Sequence, residues 1–170
     1  MIIEQESIVT NDKISEEKLA FLIEKSEIKD AENTALRFLS YSPHSEARLR
    51  IKLIKKKFSN KSIDRVIKNL KQYSYLNDAE YARAWLISRI KKRPESKSFL
   101  FYGLLKQGIQ RNTAEEIIEK HVTYETELEC AERVVTKLLR YNDLSEKKLE
   151  KKLYSRGFKV NVINEVLKDY

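Results

Sequence analysis

The chain resembles itself at an offset of one hundred residues. Ala31, Phe38, Leu39, Tyr41, Ser45, Glu46, Leu49, Lys52, Leu53, Phe58, Ile63, Val66 and Lys68 recur as Ala131, Leu138, Leu139, Tyr141, Ser145, Glu146, Leu149, Lys152, Leu153, Phe158, Ile163, Val166 and Lys168. Chance similarity between charged helices rarely holds register through two loops, so the match marks two copies of one unit. A middle copy fits between them, with Leu100, Leu104, Ile109, Ala114, Ile117 and Ile118 at the spacing of Leu49, Leu53, Phe58, Ile63, Val66 and Ile67. The expected organisation is a lead at 1–30 and repeats at 31–76, 77–123 and 124–170.

Each repeat reads as three helices. In the first, Thr34 to Tyr41 sets Ala35, Phe38 and Leu39 on one helical face, and Pro43 ends it, because the residue before proline is pushed out of the helical region. Ser45 can cap a second helix that buries Leu49 and Leu53, with Phe58 as an apolar plug. Beyond Ser59-Asn60, Ile63, Val66, Ile67 and Leu70 recur at spacings of three and four, the mark of a third helix. In the last copy the corresponding break is Arg156-Gly157-Phe158, where glycine suits the left-handed position past a helix end. Only three glycines and two prolines leave little material for hairpins, and 41% hydrophobic residues beside 35% charged ones fit amphipathic helices with solvated outer faces. One unit is too small to bury its apolar faces well, so stacking is expected. The predicted fold is all-α: three tandem three-helix, helix-turn-helix-like repeats in an elongated, curved array, preceded by an N-terminal helix.

The lead differs in charge. Glu4, Glu6, Asp12, Glu16, Glu17, Glu24, Glu27 and Asp30 outnumber its four lysines. Ser15 before Leu19, Phe21, Leu22 and Ile23 reads as the cap of an amphipathic helix, with the first dozen residues loose. This acidic segment could fold over basic surface elsewhere as an intramolecular brake. Cys130, the only cysteine, reads as a small buried apolar group. No segment approaches the ~20 apolar residues that span a bilayer, and the expected location is the cytosol, with no membrane partner.

A net charge of +8 makes the surface attractive to polyanions. On the second helix of the first copy, Arg48, Lys52 and Lys55 form a stripe beside Leu49 and Leu53, extended by Lys56 and Lys57. The last copy matches it with Lys148, Lys152 and Arg156, and the middle copy offers Arg89, Lys91, Lys92, Arg93 and Lys97 around its first loop. Stacked copies would align these thirteen residues as a basic ridge suited to a phosphate backbone. Tyr73, Tyr75, Phe99, Phe101 and Tyr102 lie nearby and could stack unpaired bases, although their helical spacing favours core positions. The chain lacks catalytic constellations. His44 and His121 are far apart in the repeat, Gly103, Gly108 and Gly157 form no phosphate loop, and Glu115-Glu116 reads as solvated surface. No enzyme, metal or cofactor is expected.

These residues converge on a family. Ala35-Leu36-Arg37-Phe38-Leu39 followed by Ser45-Glu46-Ala47-Arg48-Leu49-Arg50-Ile51-Lys52-Leu53 resembles the first repeat of the RecX family. Tyr75-Leu76-Asn77-Asp78, Tyr81-Ala82, Trp85 and Ser88-Arg89 resemble its Tyr-Leu-Asp-Asp, Phe-Ala and Ser-Arg elements, and Leu104-Leu105-Lys106-Gln107-Gly108-Ile109 its Leu-x-x-Lys-Gly-Ile element. The likeness covers about residues 31–170. Lys57 and Glu95-Ser96 stand where the family commonly has glycine, and Gly103 replaces a usual glutamate, at a cost of roughly 1 kcal/mol relative to alanine inside a helix.

The resemblance implies a regulator that lies in the groove of the RecA recombinase filament on single-stranded DNA and bridges neighbouring protomers; a monomer is expected, with duplex DNA as a further, non-specific partner. Such a protein limits filament extension, ATPase and strand exchange in repair and recombination. Two other readings stand beside it. One is a general DNA-binding helical-repeat protein or transcription regulator without recombinase contact, and the other is a helical scaffold for an acidic protein.

Overall fold

A computed structural model describes residues 15–140 and 144–168. The expected loose first dozen residues and Tyr141, the repeat partner of Tyr41, lie outside them. The described residues form α1 (Glu16–Tyr41), α2 (Glu46–Lys55), α3 (Asn60–Gln72), α4 (Asp78–Lys92), α5 (Lys97–Lys106), α6 (Arg111–His121), α7 (Tyr124–Leu139), α8 (Glu146–Tyr154) and α9 (Val160–Leu167). They carry no strand and fall into three triplets, α1–α3, α4–α6 and α7–α9, each packed on itself.

The lead helix and the first helix of copy 1, expected as two elements, are one. No glycine or proline interrupts residues 16–41, so the helix capped by Ser15 runs on until Ser42, which is extended at φ −166° before Pro43. Leu19, Phe21 and Ile23 on its first half are exposed. Its acids turn toward α3: Glu24 lies 2.7 Å from the Lys61 Nζ, and Glu27 accepts from the Ser59 amide and from the Ser59 and Ser62 hydroxyls. The described part of the lead, residues 15–30, therefore braces copy 1 at the start of α3.

Each copy has its own core. Leu49, Leu53, Ile63, Val66, Ile67 and Leu70 close around Ala31 and Ala35 in the first. Leu86, Leu100, Leu104, Ile109 and Ile118 surround Ala82 in the second, and Val134, Leu149, Leu153, Phe158 and Ile163 surround Ala131 in the third. Alanine recurs because the middle of the first helix faces both others, and only a methyl fits there. Cys130 is buried beside Ala131, and burial pushes its thiol pKa up.

The second helix of every copy ends in the same Schellman turn. The plug amides of Phe58, Ile109 and Phe158 donate to the carbonyls of Leu53, Leu104 and Leu153. The residue before each plug is left-handed: Lys57 at φ 66°, Gly108 at φ 82° and Gly157 at φ 78°.

This turn is where copies meet, and both junctions follow one rule. The Ser45 hydroxyl donates to the Gln107 carbonyl at 2.5 Å, and the Ser96 hydroxyl donates to the Arg156 carbonyl at 2.8 Å. The Glu46 amide donates to Asp78 Oδ1 at 2.7 Å, and the Lys97 amide to Glu127 Oε1 at 2.9 Å. Small residues then press on the glycines, with Ala47 against Gly108 and Ser98 against Gly157. A Cβ on Gly108 would lie 2.3 Å from the Ala47 Cβ. The junction between copies 2 and 3 has additions. Arg133 donates to the carbonyls of Ile90 and Lys91, and Ile90 packs against both cores.

Two stability measurements test this rule. Gly108→Ala meets both the left-handed backbone and the Ala47 methyl, and should lower unfolding free energy in urea by about 2 kcal/mol. Burial raises the Asp78 pKa against the opposing pull of the Glu46 amide. Its protonated form therefore fits the fold better, and the stability it contributes is lost as pH rises through the raised value. At pH 7, Asp78→Asn keeps the acceptor without the buried charge and should unfold at no less urea than the parent, whereas Asp78→Ala should lose about 1–2 kcal/mol.

Candidate functional site

Because the copies repeat in register, equivalent positions show what becomes of the stripe. Arg48, Lys52 and Lys55 of α2 correspond to Phe99, Gly103 and Lys106 of α5, and to Lys148, Lys152 and Ser155 of α8. The strip is basic on the outer copies and aromatic on the middle one. It is continuous across both junctions. Arg48 Nη2 donates to the Lys106 carbonyl at 3.1 Å, and Phe99 packs so closely on Gly157 that a Cβ there would lie 2.9 Å from its ring.

The middle section is a groove of about 740 Å³ lined by Arg89, Arg93, Glu95, Phe99, Tyr102, Gly103, Leu105 and Lys106. The last turn of α4 supplies Arg89 and its C-cap supplies Arg93, and the loop beyond Pro94 returns Glu95 to them. Arg89 holds both Glu95 oxygens at 2.9 Å, a planar two-point pairing, and Arg93 Nε approaches one of them at 3.2 Å. The Arg89 guanidinium lies 5.6 Å from the centre of the Trp85 ring. Trp85 in turn covers Gly103, where a Cβ would come within 2.4 Å of the indole. The helical glycine is thus the condition for seating the tryptophan that backs the arginine.

The aromatic residues correct a sequence expectation. Their spacing favoured core positions, yet Tyr73, Tyr75, Phe99 and Tyr102 are exposed. Only Phe101 is half-buried, on the copy-2 core, with Arg111 over its ring. Phe99 and Tyr102 face the groove, whereas Tyr75 lines a separate hollow with His44 and Tyr81.

The basic residues divide. The Lys52 ammonium sits 4.8 Å from the Phe38 ring, and Lys55, Lys56 and Lys57 are exposed at the end of α2. Lys148, Lys152 and Arg156 are exposed on α8 and its turn, and Lys91 and Lys92 at the end of α4. Lys97 is set apart: its ammonium pairs with Glu119 at 3.0 Å, in a different cavity with Phe101, Arg111 and Glu115. Lys106 was missed from sequence, although its register match to Lys55 could have found it.

His44 and His121 are half-buried and apart. Among the described residues no group of three or more metal-ligating side chains gathers, and no helix is long and apolar enough to cross a membrane.

Comparison with known proteins agrees with this architecture. Residues 31–70 match the family model described as RecX, first three-helix domain. The Regulatory protein RecX of Caldanaerobacter subterraneus is 31% identical, over 91% of this chain and 78% of its own length. That of Clostridium acetobutylicum is 32% identical, over 87% and 72%. The crystal structure of RecX from Lactobacillus salivarius shares the fold with a TM-score of 0.76 at 23% identity, covering 85% of this chain and 97% of that one. A crystal structure of regulatory protein RecX gives 0.82 at 21% identity, over 96% and 82%.

Glu95 neutralises charge that the groove would otherwise present. Glu95→Gln keeps the volume and releases Arg89 and Arg93, so the variant should elute from heparin at higher salt than the parent. Unchanged elution would show that these arginines do not face a polyanion.

Proposed function

The chain belongs to the RecX family of regulatory proteins, and from that premise we propose that it lies along a RecA-type recombinase filament on single-stranded DNA and limits its extension, ATPase and strand exchange. The observation that carries this reading is the unbroken basic, aromatic and basic strip over three copies in one register. The outer sections supply lysines and arginines for phosphates, where each neutralised phosphate releases a counterion. The groove between them supplies Phe99 and Tyr102 for unpaired bases, a contact that tolerates any sequence.

No section needs to bind strongly. Three modest sites joined through fixed junctions act at high effective concentration, so occupancy by one copy brings the next two to their places. A linear array suits a polymer that offers the same contact at each step. The charge governs encounter rate and salt dependence, and does not read sequence.

Reversing Arg48, Lys52, Lys148 and Lys152 to glutamate should abolish filament binding with helicity intact, and flatten the salt dependence of single-strand binding by a log–log slope of roughly 3. Phe99→Ala with Tyr102→Ala should weaken single-strand binding about tenfold or more while sparing duplex binding. In RecA-dependent ATP hydrolysis on single-stranded DNA, the parent should suppress turnover when far scarcer than the recombinase. An effect only at DNA saturation would reduce the mechanism to competition for DNA.

A further inference from the structure

Both internal junctions use the same parts, so the outer faces of the first and third copies can be compared with them position by position. On the third copy, Ser145 and the start of α8 stand where Ser45 and Ser96 stand in the junctions. Where Ala47 and Ser98 press on glycines, the third copy carries Lys147, which is exposed. On the first copy, the turn that would receive such a face has Lys57 where the other two have Gly108 and Gly157. Lys57 keeps the same left-handed conformation, at φ 66°. That backbone is unfavourable for a side chain, and no internal junction could hold one there, because a mere Cβ on Gly108 would sit 2.3 Å from the facing Ala47 Cβ. The third element differs too. Asp78 and Glu127 accept an amide of the preceding copy, but their counterpart Glu27 is held by Ser59 and Ser62 of its own copy, at 2.7–2.8 Å. In copies 2 and 3 the positions of Ser59 and Ser62 are Gln110 with Thr113 and Lys159 with Val162, and neither α6 nor α9 has a side-chain cap.

We infer that the outer faces are two halves of a junction that fits a second copy of this chain head to tail, and that Lys57 and Lys147 keep them apart. Joined as the internal copies are, the two lysines would occupy the space of one glycine and one small residue, with like charges in contact. The diverted Glu27 withdraws the acceptor for the α8 amide. The interface would be heterologous, and repetition of a heterologous contact gives open chains of molecules. A regulator made of stackable units needs such a stop to remain a discrete object. This inference is independent of the proposed recombinase contact.

Sedimentation velocity over a wide concentration range tests it. The parent should remain monomeric. Lys57→Gly with Lys147→Ala restores the internal residue types at two exposed positions, and its weight-average mass should rise with concentration to that of a dimer and beyond. Adding Ser59→Gln and Ser62→Val, the residue types of the second and third repeats at these positions, removes both hydroxyls that hold Glu27 and leaves only the backbone amide of residue 59, and should strengthen association further. Ser145→Ala in that background should weaken it several-fold, by removal of the hydroxyl that joins the copies. A four-position variant that sediments as a monomer at every concentration overturns the inference. So does a parent that already forms chains, or association indifferent to Ser145→Ala.

Discussion

A serine hydroxyl donating to a carbonyl in the turn that closes a neighbouring helix sets the spacing of the whole molecule. Ser45 and Ser96 each cap their own helix and at the same time join the next copy, so the start of one helix is tied to the end of another. The carbonyl they reach can be approached only because the following residue is left-handed and, at both junctions, lacks a side chain. The adjoining amide is met by Asp78 or Glu127. Each hydrogen bond contributes about 1 kcal/mol net, far less than the buried leucines and isoleucines of a core. Cores hold the copies together internally, and junctions fix their mutual orientation.

Fixed orientation is what turns a repeated sequence into a patterned surface. Equivalent positions of α2, α5 and α8 fall in line, so an exchange at two sites in one copy alters one section of a continuous strip. Replacing the stripe by Phe99 and Gly103 opens the groove, and Gly103 makes room for Trp85, which backs Arg89, which is gripped by Glu95. The departures at Gly103 and Glu95 thus form one connected arrangement, and Lys57 belongs to another, at the outer turn of copy 1.

The repeat, the triplets and the buried positions were legible in the sequence, because apolar spacing within a helix and offset between copies are both linear properties. The Ser45 cap and the left-handed Gly157 were legible from local chemistry. The fusion of the lead with the first helix escaped notice because the apolar pattern weakens around residues 24–30, while the helix needs only the absence of a breaker. The exposure of Phe99 and Tyr102 could not be read from helical spacing alone, since an α-helix of ten residues offers two faces and the core takes only Leu100 and Leu104. Asp78 and Glu127 were also missed, although each stands four residues before the alanine of its first helix. Their partners are backbone amides of another copy, which no side-chain pattern displays.

The two junctions are alike in their shared parts and unequal in what is added. Ile90 lends its side chain to two cores, and Arg133 clasps the end of α4, with Ala84 as the uncharged counterpart of Arg133 one copy earlier. Copies 2 and 3 therefore share an apolar side chain between their cores, whereas copies 1 and 2 meet through the common hydrogen bonds, the Arg48 bond to the Lys106 carbonyl and the contact of Ala47 with Gly108. In a quasi-linear array the coupling between neighbours decides how far a local opening spreads. Amide protons of α1–α3 should then exchange through excursions of their own, and those of α4–α9 through a shared, rarer one, as expected of a compliant arm on a stiffer base.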